Sequence, residues 1–319
     1  MATRRKELRQ EPHPRLSQIS MSQRTTLRRT VTCSGVGLHS GRTVTVTIEP
    51  APAGHGVRFL RTDVGAEIPA RVEFLARFDH ATTLSRDGAS IGTVEHLLSA
   101  LRGLGIDDAL VRLDGPEVPV LDGSAAPWVE RVVAAGLRRL DAPRKHLKVF
   151  EPVTVTSGDK SIVLRPADEF RVSYTIAFDH PLLRLQTASH RLTPQVYAEE
   201  IAPARTFGFL REVERLRAAG LVRGGTLDNA VVFGEDDVLT PLRFDDECVR
   251  HKILDAVGDL SLLGHPLLGH LEVVKGGHAL HAALARRLIE APATWTLVDL
   301  PERRPAAEPT VGGLVLHAH

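Results

Sequence analysis

The segment richest in chemistry is DDECVRHKILDAVGDL, where His251 and Asp255 stand four positions apart on a predicted helix and so project from one face about a turn apart. An imidazole and a carboxylate at that spacing suit a shared metal ion, although a surface ion pair or a capped histidine has the same pattern. Asp259 continues the face another turn on. A catalytic zinc site typically has three protein ligands and an open position for water, so a third donor is needed, and His96 is the candidate. Beside it, Glu95 is an acid placed to accept a proton from metal-activated water. A Glu-His pair equally fits a partly buried helix N-terminus.

The elements that must carry these residues can be read from periodicity. Apolar positions alternate from Thr30 to Pro50 around the turn SGVGLHSG, which predicts paired strands, and Val57–Leu60 and Ile68–Val72 predict short ones. In IGTVEHLLSALRGLGI, Val94, Leu97, Leu98 and Leu101 form a helical stripe with Thr93 as the expected cap, which sets His96 on a short helix. DALVRLDG predicts a strand, and SAAPWVERVVAAGLRRL a second helix capped by Ser124. The linker-like DAPRKH, Asp141 to His146, is the expected domain boundary. Beyond it come strands in KVFEPVTVTSGDKSIVLRPA and FRVSYTIAFDH, helices starting near Thr193, Phe209, Asp246 and Gly277, and a strand at VVFG.

Both halves thus read as strands followed by two helices. The expected fold class is α+β: two similar domains, each a sheet packed with two helices, in a β-α-α-β sandwich. The expected limits are a mobile N-terminal extension over 1–22, domains over 23–143 and 144–300, and a tail over 301–319.

Composition narrows the function. A net charge of +1 is too small for the broad positive field of a nucleic-acid binder, so no nucleic-acid partner is expected and phosphate recognition must be local. Cys33 and Cys248, far apart, exclude a disulfide framework and fit a reducing compartment. No apolar run spans a bilayer, and the basic, polar first 20 residues lack the apolar stretch of a secretory signal. A cytoplasmic protein is expected, monomeric by default.

Read together, TVEHLLSAL, RTFGF, HKILDAVGDL and KGGH, with SGVGLHSG before them and LDGSAAPW between, closely resemble the UDP-3-O-acyl-N-acetylglucosamine deacetylase family of lipid A synthesis. The resemblance runs from Ser34 to His281. It implies one zinc ion per chain, with iron(II) as a substitute, held by His96, His251 and Asp255. It also implies Glu95 as general base, His278 as the cation that steadies the oxyanion and protonates the leaving amine, and Asp259 as the group orienting His278. Thr206 would polarise the carbonyl. Lys252 and Lys275 would lie near the sugar diphosphate, with His39 also at the substrate. Phe178, Asp179 and His180 would lie by the uridine, and Phe207 and Phe209 beside the acetyl and acyl groups. The implied substrate is a UDP-linked acylated amino sugar, its fatty chain lying in an apolar passage that includes GLVRGGTLDNAVVFG.

Several residues are set aside. Glu212 replaces an aspartate common in relatives, and Cys248 is read as a small buried residue rather than a soft ligand. His265 and His270 in GHPLLGH are read as loop residues. His80 and His281 have no evident catalytic partner, His281 being the next-turn neighbour of His278.

Overall fold

The alternation of threonine with valine and isoleucine over Thr43–Pro50 buries Val44, Val46 and Ile48 on one face. In the computed structural model, which describes residues 22–78 and 80–301, this strand belongs to a five-stranded sheet. Its order is Val31–Val36, Thr43–Pro50, Ala109–Leu113, Val57–Arg61, Ala66–Pro69, antiparallel except where Ala109–Leu113 meets Val57–Arg61. A seven-stranded sheet in the second half centres on Leu267–Val274. That strand pairs antiparallel with Lys160–Arg165 and parallel with Phe170–Ile176 and Lys145–Val149.

The helices are α1 (Glu95–Gly103), α2 (Ala126–Ala135), the short α3 (Pro194–Val196, running into a π turn at Tyr197–Ile201), α4 (Leu210–Ala218), α5 (Glu247–Leu260) and α6 (His278–Glu290). The protein is therefore α+β, as expected. No helix among the described residues is long and apolar enough to cross a membrane.

Both α1 and α5 are buried almost all round, because each packs against the other as well as against neighbouring elements. They meet at Gly258, where a Cβ would fall on the Glu95 carbonyl oxygen, far inside van der Waals contact. Across the same junction the Tyr197 hydroxyl donates to Ser99 Oγ at 2.8 Å, and Ser99 donates to the Leu254 carbonyl at 2.7 Å. Tyr197→Phe, which strips one donor from this buried chain, is expected to lower unfolding stability by about 1 kcal/mol in a denaturant titration.

Local expectations fail in five places. Thr93 does not cap α1: Val94 occupies the cap position, and Thr93, at φ 55°, turns its hydroxyl to Glu117 at 2.9 Å. Ser124 lies one residue ahead of the α2 cap, Ala125, although its hydroxyl accepts the Ala126 N–H at 3.2 Å. That helix stops at Gly136, and LRRL opens the strand Leu137–Pro143, which pairs with Gln23–Leu27. The linker-like Asp141–His146 is consequently part of two strands, and between them Arg144, 2% exposed, bonds Asp107 Oδ2 at 2.7 Å.

GHPLLGH is not a loop either. His270 sits within Leu267–Val274, where its Nε2 pairs with Ser173 Oγ at 2.8 Å; only His265 precedes the strand. The extension over 1–22 and the tail over 301–319 lie, apart from Ser22 and Pro301, outside the described residues.

Candidate functional site

The N-terminus of α1 presents Glu95 and His96 toward α5, which presents His251 and, one turn later, Asp255. All four are buried. His251 Nε2 lies 3.3 Å and His96 Nε2 3.7 Å from Asp255 Oδ1, with the two imidazoles edge to face at 4.9 Å. His251 Nδ1 donates to the Ala204 carbonyl at 3.0 Å, which leaves the Nε2 lone pair directed at the carboxylate.

Burial pushes His96 down to about 3, helped by neighbouring His251, and burial likewise lowers His251. Both rings are therefore neutral at pH 7. Asp255 is anionic: burial raises its carboxyl, but the Lys252 ammonium and the His278 cation outweigh burial and hold it well below the usual carboxylate range. Its Oδ1, buried and with no hydrogen-bond partner among the described residues, faces the His251 Nε2 lone pair and the Nε2 atom of His96. The potential ligand atoms of His96, His251 and Asp255 lie within 4.8 Å of one another, close enough to share a cation, and the 2-His, 1-carboxylate donor set suits zinc or iron(II).

Behind this trio lies a second layer. His278, the first residue of α6, places Nδ1 2.7 Å from Asp259 Oδ2 and Nε2 3.9 Å from Asp255 Oδ2. Burial lowers its pKa, yet Asp259 and Asp255 outweigh burial and raise it to about 9, so His278 is a cation at neutral pH. Glu95 behaves in the opposite sense, its carboxyl pushed by burial up to about 8. Its Oε2 accepts the Thr82 N–H at 3.0 Å, while the Thr82 hydroxyl donates to Asp259 Oδ1 at 2.5 Å. Thr82→Val keeps the shape but removes that donor from a buried carboxylate. It is expected to lower stability by about 1.5–3 kcal/mol, read from denaturant unfolding.

These groups open onto one cavity of about 240 Å³. Glu95, His96, His251, Asp255 and His278 line it together with Thr206, Phe207 and Lys252, and Asp259 stands behind His278. The Lys252 ammonium is 2.8 Å from Asp255 Oδ2 and 5.6 Å from the Phe207 ring centre, so it is an ion-pair partner of the carboxylate as well as a wall of the cavity. Phe178 packs on both Phe207 (5.5 Å) and Phe209 (5.6 Å), which joins three of the anticipated substrate-contacting rings in one aromatic cluster with Phe233 and His180. Phe209 is buried within that cluster.

His39 has both ring nitrogens buried and without partners among the described residues. Lys275 is not brought to the cavity: its ammonium pairs with Asp159 at 2.6 Å on an exposed edge.

A family model for UDP-3-O-acyl N-acetylglycosamine deacetylase (LpxC) matches residues 24–290. Proteins named UDP-3-O-acyl-N-acetylglucosamine deacetylase are similar throughout. One from Myxococcus xanthus (strain DK1622) is 50% identical over 89% of this chain and 91% of its own. Another, from Anaeromyxobacter sp. (strain Fw109-5), is 48% identical over 90% and 96%, and a third, from Syntrophotalea carbinolica, 46% over 88% and 93%. The chain belongs to the LpxC family.

In this LpxC family member, residues that the sequence did not assign to the site also stand at or near the cavity. Leu38, His80 and Thr93 also line the cavity. Glu117, buried, accepts the His39 and Ser40 N–H groups and the Thr93 hydroxyl, and so ties the glycine-rich turn to the start of α1. His281, set aside as lacking a partner, has one after all: its Nδ1 lies 2.8 Å from Asp259 Oδ2. Only KGGHALH, with two histidines three apart on one helix face, held a signal for it.

Proposed function

We propose that this chain is a cytoplasmic zinc-dependent deacetylase that hydrolyses the N-acetyl group of UDP-3-O-(3-hydroxyacyl)-N-acetylglucosamine to the free amine and acetate, the committed step of lipid A synthesis. The observation that carries the reading is the convergence of His96 from the first half with His251 and Asp255 from the second, around a buried carboxylate oxygen that lacks a hydrogen-bond donor among the described residues. These three residues would hold the ion, one per chain, with iron(II) fitting the same donors. The ion supplies Lewis-acid polarisation of water and of the acetyl carbonyl.

The remaining work falls to the chain. Glu95 holds one oxygen on the Thr82 N–H and accepts the water proton on the other, so hydroxide attacks the acetyl carbon. The oxyanion that forms is met by the Thr206 hydroxyl and by the His278 cation. As the C–N bond breaks, His278 Nε2 delivers a proton to the departing nitrogen, and Asp259 holds the ring from the Nδ1 side. The product amine and acetate balance the water consumed.

Lys252 would meet the sugar diphosphate, and His39, whose two ring nitrogens have no hydrogen-bond partner among the described residues, the sugar. Phe207 and Phe209 offer an apolar wall for the acetyl and acyl groups, and Phe178, packed on both, would stand toward the uridine. The segment Leu221–Phe233 continues the wall: Gly224 N–H bonds the Leu38 carbonyl at 3.0 Å. We further infer that the halves, divided near residue 143, are two similar sheet-plus-two-helix layers sandwiched through α1 and α5, and that the chain works as a monomer.

Acetate release from UDP-3-O-acyl-N-acetylglucosamine and from its non-acylated counterpart, with chelated and zinc-reconstituted protein, tests the reading. Turnover of the acylated substrate alone, lost on chelation and regained with zinc, is expected. Protein that binds no transition metal and gains nothing from zinc overturns it, whereas equal turnover of both substrates makes this an amidase of another acetylated sugar.

A further inference from the structure

His281 is fully buried on the first turn of α6, beside His278. Both of its ring nitrogens are engaged: Nδ1 lies 2.8 Å from Asp259 Oδ2, and Nε2 lies 3.1 Å from the Tyr174 hydroxyl. Tyr174, equally buried, comes from the strand Phe170–Ile176, on a different element from α5 and α6. Asp259 is anionic, because His278 and His281 outweigh the burial that would raise its carboxyl. An anionic carboxylate only accepts, so His281 Nδ1 must carry the proton. Burial pushes the Tyr174 phenol up, so it stays an O–H at the far side of the ring.

Asp259 thereby receives three donors: the Thr82 hydroxyl on Oδ1, and His278 and His281 together on Oδ2. A carboxylate gripped on both oxygens cannot swing. Its remaining direction fixes the His278 ring with Nδ1–H toward Asp259 and Nε2 toward the cavity. We propose that His281, braced by Tyr174, is a positioning residue that locks Asp259 and, through it, the His278 imidazole in the orientation needed to protonate the leaving amine. This rests on the reading of His278 as the acid in the proposed function.

The test compares zinc-loaded wild type with His281→Leu, His281→Asn, Tyr174→Phe and His278→Ala. His281→Leu is expected to lower kcat about 10- to 100-fold, as loss of a supporting hydrogen bond to an active-site group commonly does, with KM and zinc content unchanged. In ¹⁵N-histidine NMR the hydrogen-bonded His278 Nδ1–H signal is expected to shift or broaden. His281→Asn sets an amide N–H near the Nδ1 position and is expected to restore most of kcat, an outcome that packing alone does not produce. Tyr174→Phe is expected to cost kcat several-fold and to move the same signal, and it carries the test if His281→Leu does not fold.

Equal loss in the Leu and Asn variants, or unchanged kcat and an unchanged His278 signal in Tyr174→Phe, overturns the proposal. His278→Ala separates the two readings. If it is inactive while His281→Leu stays within about twofold of wild type, the brace is wrong and the acid stands; if it is fully active, the acid assignment itself falls.

Discussion

Glu95→Gln is expected to lose about 10² to 10⁴ in kcat while binding zinc as wild type does, because general-base catalysis is worth that much and the metal donors are untouched. Glutamine fits the same space and still offers an amide oxygen to the Thr82 N–H. What it lacks is a proton acceptor of suitable basicity. The same substitution has an opposite effect on stability in metal-stripped protein. Burial raises the Glu95 carboxyl from its ordinary 4.5 to about 8, so the folded state binds the proton more tightly than the unfolded one. Wild-type stability must then fall as pH rises from 4.5 to 8, and it falls less in the variant. Melting curves of both proteins in chelator from pH 5 to 8 read this directly. Activity within tenfold of wild type would remove Glu95 from the mechanism.

Gly258→Ala is expected to reduce both zinc retention and stability, the latter by about 1–3 kcal/mol or more. Helix propensity points the other way, since alanine in mid-helix is worth about 1 kcal/mol over glycine. Sterics prevail because the atom in the path of the new methyl is the Glu95 carbonyl oxygen, part of the α1 backbone, which has no rotamer to escape into. The helices must separate, and with them His96 from His251 and Asp255. Zinc stoichiometry by mass spectrometry and a thermal melt test this. A raised melting temperature with full zinc content would show that α1 and α5 have slack at their crossing.

The contrast between these sites explains what a linear reading reaches. His251 and Asp255 were visible because their relation is local, one helical turn. His96 and Glu95 were candidates as a third donor and the acid beside it, whereas His278 and Thr206 became visible through the family resemblance; all four line one cavity. Thr82 left no trace because its bond to Asp259 joins residues 177 positions apart and is made by topology alone. Glu117, in the turn GPEVPV, was invisible for the same reason. Thr93 was misread since cap preference assumes a free hydroxyl, and Glu117 had claimed it. GHPLLGH looked like a loop because its Pro and Gly suggest one; Gly269 instead sits where Leu164 of the paired strand approaches too closely for a side chain.

The proposed ligands stand far apart along the chain, His96 in its first third and His251 and Asp255 in its last quarter. A polypeptide emerging from the ribosome therefore owns a single donor for most of its synthesis, too few to retain zinc against the cell's other chelators. If these three residues hold the ion, metal acquisition is one of the last events of maturation, and a product truncated ahead of α5 carries only one of its donors.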